Sequence, residues 1–156
     1  MKYSWMVLIG ASAAVLAAGA DLPGFRIWSN TELKGYEKTL AAKVDKAKMA
    51  SEAFGALGNN AKAQISHREG NGEAEVHEMV QDFFVVESGE ATLVVGGQVV
   101  SPHQSAANEL RGASIKGGES KKLGAGDIVC IPAKMPHQLQ VADGKQFTYF
   151  VIKVTK

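Results

Sequence analysis

Twelve residues from Gly126 to His137 combine the features that could hold a reactive side chain still: Gly126-Asp127-Ile128-Val129-Cys130-Ile131-Pro132-Ala133-Lys134-Met135-Pro136-His137. A Gly turn feeds a short apolar strand, Pro132 stops it, and a second Pro delivers His137 to the start of the next strand. A His placed this way faces inward at a defined height with its ring fixed, the situation of a metal ligand or an acid/base group. Other polar residues have weaker claims. His67 and Arg68 close a strand read as an edge, which makes a surface position the expectation for both. His103 falls in an aperiodic segment, Ser101–Leu110, read as a solvated surface loop. Arg111 beside Gly112 could present a guanidinium to an anionic ligand. Cys130, the single cysteine, sits inside an apolar strand and reads as a small buried hydrophobe. Gly96-Gly97 is a hairpin turn without the strand–turn–helix context a phosphate loop needs.

The elements that must position these residues come in two kinds. Ser29-Asn30-Thr31-Glu32 is a capping box. Behind it Leu33, Tyr36, Leu40, Val44 and Ala47 recur at three- and four-residue spacing, which predicts an amphipathic helix running to about Phe54 and ended by Gly55 and Gly58. From Ala63 onward short β-type runs alternate with Gly-rich turns. The runs are 63–68, 73–77, 83–87, 91–95, 99–100, 113–115, 127–131, 138–141 and 147–154. Ser88-Gly89 reads as the turn between two of them. With no helix among them, they predict an antiparallel sandwich or barrel. Phe83–Val86, Leu93–Val95 and Phe147–Ile152 are apolar on both faces, so the outer face requires cover by the helix or by a second copy, and a homodimer is expected.

The amino terminus addresses the compartment. Met1-Lys2, an apolar run from Trp5 to Leu16 and Ala18-Gly19-Ala20 read as a secretory signal peptide cleaved before Asp21. The run falls short of the roughly 20 residues of a spanning helix, so no stable membrane insertion is expected after cleavage, and the protein is expected in the periplasm or outside the cell. The expected organisation is residues 1–20 signal peptide, 21–60 helical extension and 61–156 barrel domain. Without the leader 136 residues remain, with 16 basic and 16 acidic side chains. That balance gives no electrostatic case for nucleic acid, and one cysteine allows no intramolecular disulfide.

With the strands placed, the stretch from Glu75 to His137 resembles the cupin family. Its second motif, G-x5-P-x-G-x2-H-x3-N, is matched by Gly126, Pro132 and His137 at the correct spacings, with Lys134 where the family has Gly and Val141 where it has Asn. Its first motif, G-x5-H-x-H-x3,4-E-x6-G, is matched by His77 at the second His, Asp82 at the Glu and Gly89 at the closing Gly, with Glu75 in the first His position. The resemblance covers about half of the mature chain. It implies an all-β fold, a double-stranded β-helix or jelly-roll barrel behind the amino-terminal amphipathic helix. It also implies one divalent metal near the barrel mouth, held by Glu75, His77, Asp82 and His137. The residues themselves support one part of this: Glu75 and His77 stand at i and i+2 on a strand and project to one face.

Where the family ordinarily uses three His and one Glu, this chain has two His and two acids. Such a set suits Mn, Fe or Zn, and two His with one carboxylate are the facial triad of non-haem iron oxygenases. Two acids in an apolar barrel without a cation would be costly. Gln81 and Gln138, which flank the proposed ligands, are candidate supporting donors. The expected function is an exported barrel that binds a divalent metal and a small molecule in its cavity. It would act either as a metal-dependent isomerase, epimerase or dioxygenase or as a non-catalytic ligand- or metal-binding module. The remaining alternative is a cupin scaffold that has lost its ion.

Overall fold

Short antiparallel strands that are apolar on both faces bury one of them by curling into a barrel. The computed structural model, which describes residues 23–156, shows how they do so. The signal-peptide reading of residues 1–20 lies outside the described residues. Among those described, no helix is long and apolar enough to cross a membrane.

Helix α1 spans Asn30–Ala41 and opens with the expected capping box, the Glu32 N–H donating to Ser29 Oγ at 3.2 Å. The strands are β1 (Met49–Ala56), β2 (Ala61–Arg68), β3 (Ala74–His77), β4 (Val80–Val95), β5 (Gln98–Val100), β6 (His103–Ala106), β7 (Glu109–Gly112), β8 (Ser114–Lys116), β9 (Glu119–Gly124), β10 (Ile128–Ile131), β11 (His137–Gln140) and β12 (Phe147–Thr155). One side of the barrel runs in the order β1-β2-β12-β4-β10 and the other β9-β4-β11-β3-β7-β6, with β4 shared between them. Strands β5 and β8 form a separate pair. The interior between the two sides is filled by side chains such as Phe84, Leu93, Leu139, Phe147 and Val151. A second apolar layer, with Leu40, Ile65 and Phe150 at its centre, lies under the helix.

Five local expectations are corrected, the last of them the burial of Cys130. First, the helix stops at Ala41, and Met49–Ala56 is a strand on the edge of β2. Asp45 accepts the Ala47 N–H at 2.8 Å and Lys48 takes φ +55°, which turns the chain back along β2. A four-residue spacing fits either a helix or a period-two strand, so Ala50 and Phe54 carry no discriminating periodicity. Both pack into the layer beneath the helix, where Phe54 lies 5.0 Å from Tyr36.

Second, with β1 outside it, β2 is an interior strand, and His67 and Arg68 are buried instead of exposed. Third, Ser88-Gly89 is no turn. It is a bend in one 16-residue strand that passes from one sheet to the other. Gly89 has φ +79°, and a Cβ there would lie 1.9 Å from the Gln146 carbonyl oxygen, so only glycine fits. Fourth, 101–110 is no loop: it carries β6 and the start of β7, turned at Asn108 with φ +63°. Cys130 is in the expected strand but on its outer face and exposed, since β10 alternates Val129 and Ile131 inward with Ile128 and Cys130 outward.

Candidate metal centre

Cross-strand register places every side chain of the site. β3 lies between β11 and β7, so His137, Glu75 and Arg111 stand in one row, and His77 stands opposite Glu109. On the other side of the barrel Lys153 of β12 stands opposite Asp82 of β4. Of these residues Glu75, His77, Asp82, Glu109, Arg111 and Lys153 line a cavity of about 780 Å³.

Glu75, His77 and His137 each offer one donor atom within 4.8 Å of the other two. His77 Nε2 lies 3.4 Å from Glu75 Oε2, and His137 Nε2 lies 3.8 Å from the same oxygen. A tetrahedral ion with bonds of ~2.1 Å needs its ligands ~3.4 Å apart, so these spacings fit a divalent ion. Both rings are oriented from behind. His77 Nδ1 donates to Glu109 Oε2, and His137 Nδ1 donates to the Met135 carbonyl at 3.0 Å. Each such bond assigns a ring proton to Nδ1 and turns Nε2 toward the site, the orientation of a supported metal-binding imidazole; on His77 that nitrogen already faces Glu75, Asp82 and Lys153. His137 Nε2 is buried and has no hydrogen-bond partner among the described residues.

Asp82, the fourth residue of the sequence-derived set, stands beside this group of three and is paired with a lysine. Its Oδ2 lies 3.4 Å from His77 Nε2 and accepts from Lys153 Nζ at 2.6 Å, while Oδ1 is buried without a hydrogen-bond partner among the described residues. Lys153 Nζ is also 3.1 Å from His77 Nε2. The physical reason is register: Lys153 projects from the strand paired with β4 directly onto the carboxylate it faces.

The acids therefore have cations without any ion. Glu75 Oε1 faces Arg111 Nη1 in direct contact and Arg68 Nη2 at 3.8 Å. Burial alone would raise the Glu75 carboxyl, but the His77 hydrogen bond and the charges of Arg111, His137 and Lys153 outweigh it and hold the group at about 2. Burial would likewise depress His77, but hydrogen bonds to Asp82 and Glu75 raise it to about 9. Asp82 is lowered, the hydrogen bond to His77 and the Lys153 charge exceeding the effect of burial. His137 is lowered by burial, which keeps it neutral and able to donate a lone pair.

Sequence reasoning missed Glu109 and Lys153, and it placed Arg68 on the surface. Glu109 was hidden in the stretch read as a loop. Nothing in local patterning marks Lys153, because its role follows from a partner 71 residues away. Gln81 and Gln138 do not support the ligands: Gln81 donates to Cys130 Sγ on the outer face, and Gln138 donates to the Gly72 carbonyl at 2.9 Å. Lys134, standing where the family motif has Gly, takes φ +69°, so the motif's glycine marks a left-handed turn that this chain makes with a lysine.

No protein-family model and no curated protein sequence matches the chain. Solved structures do. The Schizosaccharomyces pombe Cnp3 cupin domain matches with a TM-score of 0.52 at 6% identity, covering 70% of this chain and 66% of that one. Oxalate oxidase in complex with glycolate matches with a TM-score of 0.51 at 14% identity, covering 71% and 53%. The DMSP lyase DddQ from Ruegeria pomeroyi matches with a TM-score of 0.50 at 17% identity, covering 70% and 48%. The chain thus spans about half the length of the last two. At such identities the likeness speaks for the fold, and it agrees with a barrel bent through Gly89 and closed around β4: this chain is a cupin-fold protein.

Proposed function

We propose that the chain is a metalloprotein that holds a divalent ion on Glu75, His77 and His137 and takes a small molecule in the cavity beside them. One observation carries this reading. Three donor atoms converge, and His137 Nε2 is buried beside them with no hydrogen-bond partner among the described residues while its Nδ1 proton is held by a carbonyl. A divalent ion at such a set polarises an oxygen of whatever ligand reaches its open side. Glu109 and the Met135 carbonyl hold the imidazole protons away from the ion, Arg68 and Arg111 orient Glu75, and Lys153 presents an ammonium at the edge of the cavity. Two His and one carboxylate suit Fe, Mn or Zn. In a catalytic form the protein is a metal-dependent isomerase, epimerase or dioxygenase; in a binding form it captures its ligand unchanged. The Ala18-Gly19-Ala20 site supports export, and the apolar outer strands support a homodimer.

A second reading, a cupin scaffold without an ion, draws on the Arg68, Arg111 and Lys153 side chains, which already balance the acids that would otherwise demand a metal. Thermal melts separate the two. If the metal reading holds, Mn, Fe or Zn at a hundredfold excess over Kd stabilises the chelator-treated protein by roughly 3 kcal/mol. His137→Ala removes most of that gain. A melting temperature indifferent to chelator and to added metal sinks the metal reading and leaves the scaffold. Elemental analysis then identifies the ion. A turnover screen on small molecules, run beside equilibrium binding, divides the catalytic from the binding form.

A further inference from the structure

Two guanidiniums reach the same oxygen of Glu75. Arg68 comes from β2 and Arg111 from β7; Arg111 touches Oε1 and Arg68 Nη2 lies 3.8 Å from it, while Oε2 faces the imidazoles. A guanidinium carries five N–H donors in a fixed fork. Arg68 uses Nε on the Tyr149 hydroxyl at 3.1 Å. Beyond Tyr149 and Glu75, neither Arg68 nor Arg111 has a side-chain partner among the described residues, and both line the cavity. Arg68 is 7% exposed and packs over Gly72, where a Cβ would lie 2.9 Å from its Nη1. Its place is therefore built, with donor capacity left over and directed into the cavity.

Charge gives the second argument. Around the donor set stand three carboxylates (Glu75, Asp82, Glu109) and three cationic side chains (Arg68, Arg111, Lys153), which cancel. A divalent ion on neutral imidazoles then leaves two positive charges in excess in a partly enclosed cavity. Lys153 is committed to Asp82 at 2.6 Å, and Lys62, which also lines the cavity, is an exposed side chain outside the donor set, so the two arginines are the cations beside Glu75 that can meet a ligand.

We propose that Arg68 and Arg111 form an anion subsite that seats the carboxylate of a small organic acid beside the metal, and that ion and anion bind with positive coupling. The inference rests on the metal reading above. A carboxylate is what these guanidiniums already hold in the protein, and the forked donors match its two oxygens. Without an ion, Glu75 competes for the same donors, so the free protein holds the anion weakly. With an ion on Oε2, the Glu75 charge is shared and the excess positive charge draws the ligand in.

The test is calorimetric titration of Mn(II) into the purified chain in buffer, in succinate, in its neutral isostere succinamide and in inorganic phosphate, with metal–anion association subtracted from blank titrations. Succinate should tighten Mn(II) binding about tenfold or more, succinamide should not, and Mn(II) should raise succinate affinity by the same factor. In Arg111→Gln the coupling should fall below about threefold. Arg111 is at the cavity rim, so this variant should fold, which circular dichroism verifies. Arg68→Lys keeps a cation beside Tyr149 but loses the fork, and it should lose coupling in the same way. Mn(II) binding that is equal in succinate and succinamide overturns the inference and leaves the metal reading intact. Phosphate coupling larger than that of succinate overturns the carboxylate assignment. No Mn(II) binding under any condition means that the metal reading itself has failed.

Discussion

Replacing Lys153 by Met tests whether the Lys153–Asp82 pair is the internal counter-charge of the site. Met keeps most of the side-chain length and removes the ammonium, stranding a carboxylate that is 2% exposed. Removing one partner of a buried pair costs about 3–5 kcal/mol. Here His77 Nε2 still lies 3.4 Å from Asp82 Oδ2, so the lower end, about 3 kcal/mol, is expected. In a domain of this size that is a fall in Tm of roughly 6–12 °C. Asp82→Asn in the same chain removes the stranded charge and should restore about 2 kcal/mol of the loss. The sign with pH follows from Asp82. Its pKa in the folded protein is lowered by the His77 hydrogen bond and Lys153, so the stability it contributes is present above the ordinary carboxylate range and lost as pH falls through the folded value. In Lys153→Met the Lys153 share of that lowering is gone while the His77 hydrogen bond remains, and the gap between wild type and variant should be full at pH 7 and narrow below about pH 4. The assay is thermal unfolding of chelator-treated protein for the four members of the double-mutant cycle at several pH values. A Lys153→Met loss under about 1 kcal/mol, or a double variant no more stable than Lys153→Met alone, would show that the pair does not carry the charge balance.

Four further outcomes are expected. Lys134→Gly should raise stability by about 1 kcal/mol, since φ +69° is strained for lysine and free for glycine; an unchanged or lowered Tm would count against that strain. Metal affinity should rise roughly tenfold per pH unit toward pH 9, because an ion must displace the proton that hydrogen bonds to Asp82 and Glu75 hold on His77, and affinity flat from pH 6 to 8 would contradict this. Light scattering should give twice the monomer mass, with Ile128→Lys, at a residue 74% exposed on the outer face, shifting the protein to monomer; a monomeric wild type refutes the dimer. Amino-terminal sequencing of exported protein should start at Asp21, and an intact Met1 on exported protein would contradict cleavage.

Much of the barrel was legible in the sequence because a strand writes its period locally. The runs at 63–68, 73–77, 127–131, 138–141 and 147–154 correspond to β2, β3, β10, β11 and β12 within a residue or two. The capping box at Ser29 and Glu32 marked the start of the helix, since its two hydrogen bonds span only three residues. That Glu75 and His77 share a face and that His137 opens a strand were legible for the same reason, since i and i+2 on one strand and a Pro-bounded strand start are local statements; their joint reading as ligands came from the resemblance to the cupin motifs. Where a local pattern had two solutions, the reading failed. A four-residue apolar spacing suits helix and strand alike, so the strand Met49–Ala56 read as helix, and with it His67 and Arg68 came out as surface. A Gly in a strand is a turn or a bend, and only the Gln146 carbonyl against Gly89 decides for the bend.

What tertiary structure alone decided is the pairing of charges. Asp82 has the right type and spacing for a ligand, yet it meets Lys153, because antiparallel register between β4 and β12 sets those two side chains opposite each other. By the same means Glu109 meets His77, and Arg111 meets Glu75. Residue types and spacing determine which groups a strand can present to the barrel interior. Which of those groups meet depends on how strands distant in sequence align, and the Coulomb energy that turns an acid into a ligand or into half of an ion pair depends on that distance.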